Sequence, residues 1–250
     1  MNYGLKLEAI VIEKDYILGG YGSLGGAVLQ ENGDWSEFLP TKELQATQVE
    51  TYACTVFGTL SAIETLIRRI EGKEKNYSDR WTAWNSDIKP GGASPSATCE
   101  HIRLAGAPFE IKWPITQDIH TWEDFYKTPP PALFRDARTD LLDVYDFKHE
   151  YVPTDRESIK QALKLSPVCL AVTAWYQENG LYYTPAGVTA NHWVMCYGFD
   201  EEKQAFKIFD TYDSVLKLYV GEIAQAKRFQ LLPAQKKTSL WQKIKAFLGL

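Results

Sequence analysis

The sequence predicts an α+β protein in which helices come first and a mostly antiparallel sheet follows. Two observations carry this. Residues 53–71, ACTVFGTLSAIETLIRRIE, repeat Val56, Leu60, Ile63, Ile67 and Ile70 at intervals of three and four, the period of a helix with one buried face. From residue 167 onward the runs PVCLAVTAWYQ, LYYTPAG, HWVMCYGF, AFKIFDTY and LKLYV, rich in β-branched and aromatic residues, are separated by turn residues and read as strands. Helices grouped ahead of strands favour two packed lobes over an alternating parallel sheet.

The elements follow in chain order. Residues 1–33 alternate apolar and polar, as in Leu5-Lys6-Leu7-Glu8-Ala9-Ile10-Val11, and then pass through Gly19-Gly20-Tyr21-Gly22-Ser23-Leu24-Gly25-Gly26. Short strands with turns are expected there, as an extension packed on the lobes or a short cover. The glycine run lacks the Lys-Ser/Thr ending of a phosphate loop. Residues 34–150 form the expected helical lobe. Its main helix is closed by Gly72, and a second helix at 96–105 is closed by Gly106. Residues 113–150, rich in proline, aromatics and charge, read as loops and short helices. Residues 151–235 form the β-rich lobe, entered by a helix at 155–165 with Asp155 as N-cap. In the tail, 236–250, Leu240, Trp241, Ile244, Phe247 and Leu248 share one helical face and Lys243 and Lys245 lie off it. Such a helix either docks on the body or contacts a membrane surface or a partner protein.

Composition limits the function classes. The chain has 250 residues, 45% hydrophobic and 13% aromatic, with a net charge of -5. It can bury a core, it is not disordered as a whole, and no apolar run reaches the roughly 20 residues of a spanning helix. The acidic balance argues against nucleic acid as the main partner. Cys54, Cys99, Cys169 and Cys196 form no C-x-x-C pair, so neither a disulfide scaffold nor a zinc site is expected, and no cofactor is implied. The N-terminus lacks a signal-peptide pattern, which points to a reducing, cytoplasmic setting.

One set of residues can carry chemistry. Cys54 opens the strongest helix, where backbone N–H groups and the helix dipole favour a thiolate, the nucleophilic form. Gln48, six residues earlier, can donate to a developing oxyanion together with the Cys54 N–H, and Gln45 competes for that role. Of the four histidines, His192 starts an apolar strand, whereas His101, His120 and His149 read as surface residues. A hairpin turning at Asp200–Lys203 brings Asp210 close to His192, where a carboxylate can hold the imidazole; Asp213 is the alternative.

These residues are similar to the papain-like cysteine peptidases. Asp34-Trp35, Gln48, Ala53-Cys54-Thr55-Val56-Phe57 and Ala62-Ile63-Glu64 resemble that family's opening, and Asn191-His192-Trp193-Val194 with Tyr197-Gly198 resembles its histidine strand. The Cys54–His192 interval falls in the family window of roughly 130–150 residues. Gly91 and Gly92 resemble its substrate-binding glycines, and Trp193 joins them as a candidate substrate contact. The resemblance spans roughly residues 34–232. Tyr52-Ala53-Cys54-Thr55-Val56 departs from the family's Cys-Gly-Ser-Cys-Trp, and Asp210-Thr211-Tyr212-Asp213 stands in place of Asn-Ser-Trp-Gly. The resemblance therefore implies a two-lobed cysteine peptidase of bacterial or bacteriophage type, cytoplasmic or virion-associated. Its Cys54, His192 and Asp210 would act on a polypeptide substrate through a thioester, with Gln48 at the oxyanion. The Tyr197-Gly198-Phe199-Asp200…Phe209-Asp210 stretch also resembles bacteriocin-leader (C39) peptidases. A third reading keeps the fold as an inactive binding or virion structural module.

Overall fold

In the computed structural model, residues 3–46 and 49–234 are described; Gln48 and the tail helix expected at 236–250 lie outside them. The main helix forms as its apolar spacing requires. α1 (Cys54–Glu71) buries nearly every residue from Cys54 to Ile67 and ends at Gly72, whose φ of 68° lets its N–H reach Arg68 O at 2.9 Å. The helix α2 (Asp79–Asn85), unforeseen because it is short and polar, is capped by Ser78, which accepts from Trp81 N–H. α3 (Pro95–Ala105) is capped by Ser94 and carries proline in its first turn. Short helices α4 (Trp122–Phe125) and α5 (Ala132–Ala137) follow, the latter running into a π-helical turn at Arg138–Leu142. The helix expected at 155–165 is α6 (Arg156–Leu163), and Asp155 caps it by accepting from Ser158 N–H at 2.9 Å.

The second lobe is an eight-stranded sheet in the order β1-β8-β2-β5-β6-β7-β4-β3. The strands are β1 (Tyr145–Tyr151), β2 (Val168–Val172), β3 (Tyr176–Glu178), β4 (Leu181–Tyr183), β5 (His192–Asp200), β6 (Ala205–Phe209), β7 (Leu216–Tyr219) and β8 (Gln225–Pro233). All pairings are antiparallel except the single β4–β7 contact, Tyr182 with Tyr219.

Three expectations need correction. Residues 145–151, within and just past the stretch read as loops and short helices, form β1, because β8 offers it a full seven-residue ladder from Tyr145–Pro233 to Tyr151–Lys227. β8 itself was hidden by its buried charges, Lys227 and Arg228, which break the apolar pattern. Residues 3–33 do not form strands despite their alternation. They lie along the surface and pair only through isolated bridges, Leu5 with Ala93 and Ile17 with Tyr151. Without a neighbouring strand to complete a ladder, alternation alone does not make a sheet.

The lobes meet where α1 crosses β5. A Cβ at Gly58 would lie 3.1 Å from Trp193 Cδ1 and 3.3 Å from Trp193 O, so the missing side chain lets helix and strand touch. Cys54, one helical turn before Gly58, shares that face and lies toward the start of β5, which is His192.

Candidate active site

His192 and Asp210 meet in the buried space at the end of α1. Both are fully buried, and His192 Nε2 lies 2.8 Å from Asp210 Oδ1. Antiparallel pairing of β5 with β6 delivers this contact, since Met195 stands opposite Phe209 and Asp210 follows at the strand end. The Tyr212 N–H also donates to Asp210 Oδ1, at 3.2 Å. Burial works to raise the Asp210 pKa, but His192 and Lys217 outweigh it and hold the carboxyl well below its usual range. A carboxylate only accepts, so Nε2 carries the ring proton toward it. The other ring nitrogen, Nδ1, is buried with no partner among the described residues. Asp213, the alternative third residue, does not take this place; it is half-exposed and pairs with Lys217.

Cys54 is the first residue of α1 and fully buried. The expectation of a lowered thiol pKa is overturned in this closed form. Burial pushes the thiol well up, Glu50 and Asp210 push the same way, and the backbone at Trp193 and Thr55 only partly opposes them. Desolvation of a charge exceeds what a helix end supplies when no water reaches the sulfur. Cys99 and Cys196 are likewise pushed up to about 12 by burial, and all four cysteines are free.

The N-terminal segment packs against the start of β5 and the Gly91–Ala93 loop. Tyr3 N–H donates to Asn191 O at 3.3 Å, Ala93 N–H to Gly4 O at 3.0 Å, and Lys6 N–H to Ala93 O at 3.0 Å. Residues 3–6 thus bridge the Gly91–Ala93 loop of the first lobe and the start of β5. The Tyr3 ring lies 5.1 Å from the His192 ring and meets Tyr212 edge-on at 4.8 Å, and Leu5 is buried. Further along, Glu8 accepts from Ser96 N–H at 2.8 Å and from Tyr151 Oη at 2.7 Å. The glycines matter here because the backbones nearly touch. A Cβ at Gly92 would fall 1.7 Å from Gly4 O, and one at Gly4 would fall 2.1 Å from Tyr52 O.

Other expected residues are placed as follows. The Trp193 indole is buried against Gly58, and its Nε1 donates to Thr59 Oγ1 at 3.4 Å, so the ring is closed to a ligand. Gln45 is buried in a recess with Ile115, Ile119 and Phe125, and its carboxamide has no partner among the described residues. Trp35 is structural: its Nε1 donates to Leu163 O at 2.7 Å and its N–H to Tyr197 O. His149 is not a surface residue. It sits 2.8 Å from Glu100, with the buried Lys227 behind it. Two residues were not foreseen. Glu50 accepts from Tyr212 Oη at 2.5 Å and from Tyr52 N–H at 2.9 Å. Lys217 reaches Asp210 Oδ2 at 2.8 Å. Lys217 was masked by its setting, since Leu216 and Leu218 alternate with it and would be read as the inward face of β7.

No protein-family model and no curated protein sequence matches the chain. Solved structures do. The chain is similar to xylellain, a cysteine protease from Xylella fastidiosa, with a TM-score of 0.67 and 17% identity over 94% of this chain and 97% of that one. The fold is that of the papain-like cysteine proteases. Bromelain from Ananas comosus, solved in complex with the E64 inhibitor, gives a TM-score of 0.60 at 14% identity over 80% of this chain and 98% of that one. The ragweed pollen allergen Amb a 11, a cysteine protease in its proform, gives 0.57 at 17% identity over 78% and 64%. Among the described residues no group of His, Cys, Asp or Glu side chains is arranged to hold a metal ion, and no helix is long and apolar enough to cross a membrane.

Proposed function

We propose that the chain is a cysteine peptidase in which Cys54 is the nucleophile, His192 its proton partner and Asp210 the group that orients His192. The observation that carries the reading is the His192 ring. One nitrogen is committed to a carboxylate, and the other is buried without a partner among the described residues at the start of β5, where the next residue, Trp193, packs on Gly58 and presents its backbone to the Cys54 thiol. A buried polar atom left unpaired is costly, and such atoms concentrate where a reaction uses them. In the mechanism, Nδ1 takes the thiol proton as Cys54 attacks a peptide carbonyl, and the imidazolium then protonates the leaving amine. Water hydrolyses the thioester by the reverse sequence. Gln48 and the Cys54 N–H are the proposed oxyanion donors.

In this form the site is closed, and residues 3–8 are the proposed cover. A substrate strand that pairs with the Gly91–Ala93 loop must displace them. The test uses the full chain and a Gly4→Ala variant, each offered denatured casein and an epoxide thiol inhibitor. Hydrolysis together with labelling at Cys54, and not at Cys99, Cys169 or Cys196, is expected at least for the variant. No hydrolysis and no labelling in either protein overturns the reading.

A further inference from the structure

Asp210 is a fully buried carboxylate against the His192 imidazole, and a bare charge there would make the ring's proton affinity differ from that beside a neutral acceptor. The geometry points to Lys217 as the residue that removes this difference: its ammonium neutralises Asp210, so that the Asp210–Lys217 pair acts on His192 as an uncharged orienting acceptor. This rests on the reading of His192 and Asp210 given above. Lys217 is a positioning residue, since it acts through Asp210 and not on substrate.

The arrangement is specific. The Lys217 side chain is 1% exposed, and Asp210 is fully buried. Each Asp210 oxygen has its own partner, Oδ1 facing His192 Nε2 and Oδ2 facing Lys217 Nζ, both at 2.8 Å. Lys217 Nζ also donates to Asp213 Oδ1 at 2.6 Å, but that carboxylate is 45% exposed and screened by water. The aliphatic and aromatic surroundings hold the ammonium in place: it lies 4.9 Å from the Trp175 ring centre, and the Trp175 ring meets His192 edge-on at 5.6 Å. A buried lysine on a four-residue strand is costly unless paired, and here the pairing puts it behind the imidazole's own acceptor. The groups against the His192 ring from other elements are Tyr3 of the N-terminal segment, Tyr212 of the β6–β7 loop and Trp175; the Cys54 thiol of α1 feels the Asp210 charge. Glu50 lies behind Tyr212, and Lys42 donates to Asp213 O and Val215 O. Lys42 also feels the Asp210 charge, but none of these groups touches Asp210 Oδ2, and the cation in contact with the carboxylate is Lys217.

A unit charge about 6 Å away at an effective dielectric of about 20 moves a titration by about two pH units. The test follows the His192 ring signal by NMR in histidine-labelled full chain, assigned by its loss in His192→Ala. Lys217→Met leaves Asp210 uncompensated and is expected to raise the midpoint by about two units relative to the native chain. Lys217→Arg keeps the charge and restores the native midpoint. Asp210→Asn keeps the shape and one acceptor oxygen for His192 but turns an NH2 group toward Lys217, leaves that ammonium uncompensated and is expected to lower the midpoint. Should Lys217→Met fail to fold, the double variant Lys217→Met/Asp210→Asn, which removes both charges, decides the matter: a midpoint back at the native value is expected, and one that stays at the lowered value of Asp210→Asn overturns the inference. A folded Lys217→Met protein with an unmoved midpoint, or an Asp210→Asn protein whose midpoint does not fall, overturns the inference and reduces Lys217 to a structural ion pair. The titration needs no substrate, so absent peptidase activity with these shifts intact sinks the peptidase reading and leaves the charge coupling standing.

Discussion

Replacing Gly4 with alanine is expected to open the cleft. Gly4 has a φ of 100°, and a Cβ there would meet Tyr52 O at 2.1 Å and Tyr52 C at 2.4 Å. Backbone atoms cannot swing aside as a flexible side chain would, and the opposite wall is also backbone, at Gly92. The segment must leave its seat. It then loses the three backbone hydrogen bonds that tie Tyr3, Gly4 and Lys6 to Asn191 and Ala93. At about 1 kcal/mol each these amount to about 3 kcal/mol, or an open population more than about a hundredfold larger. Withdrawal of the Leu5 side chain, about 2 kcal/mol, is offset by the freedom the released residues regain. The assay is the rate of iodoacetamide alkylation at Cys54, located by peptide mapping. Gly19→Ala is the control. It has a φ of 74° and open space around its Cβ, so it tests left-handed strain without touching the cleft. Alkylation about a hundredfold faster in Gly4→Ala, with Gly19→Ala at the native rate, is the expected result. A folded Gly4→Ala protein that reacts no faster than native refutes the idea that residues 3–6 close the site.

Cys54→Ala is expected to abolish casein hydrolysis in the opened protein, and full activity in that variant disproves the nucleophile. Gln48→Ala is expected to lower kcat by roughly a hundredfold to a thousandfold, as loss of one oxyanion donor does; an unchanged kcat removes Gln48 from the mechanism. The buried carboxyls of the first lobe make a separate prediction about stability. Burial, with Glu43 nearby, pushes Glu110 up to about 8, and burial also holds Glu64 and Asp79 well above the usual range. A carboxyl raised in the folded state binds its proton more tightly there, so its contribution is present below pH about 4 and is lost as pH rises toward 8. Glu110→Gln is expected to flatten this fall and to stabilise the chain at pH 8 by about 3 kcal/mol after allowance for partial exposure, measured by urea unfolding at pH 5 and 8. Equal slopes in variant and native protein count against it.

The main helix, its glycine stop, the Asp155 cap and most strands of the second lobe were legible in the sequence, because each follows from local periodicity and local hydrogen-bond chemistry. The places of Cys54 at a helix start, His192 at a strand start and Asp210 just past a strand end were legible for the same reason, since each is a feature of a short stretch. What tertiary structure decided lies where distant segments meet. Alternation in residues 3–33 promised strands, but a strand needs a neighbour, and these residues find only single bridges, at Ala93 and at Tyr151. Cys54 sits at a helix end that favours a thiolate, yet its complete burial between α1 and β5 reverses the balance. Lys217 has an outward place in its strand pattern and an inward one in the fold, because two aspartates brought to it by the β6–β7 turn make burial of its charge tolerable. Local sequence sets where helices start and stop and which runs can become strands, while strand pairing, desolvation and charge pairing depend on what the rest of the chain brings within a few ångströms.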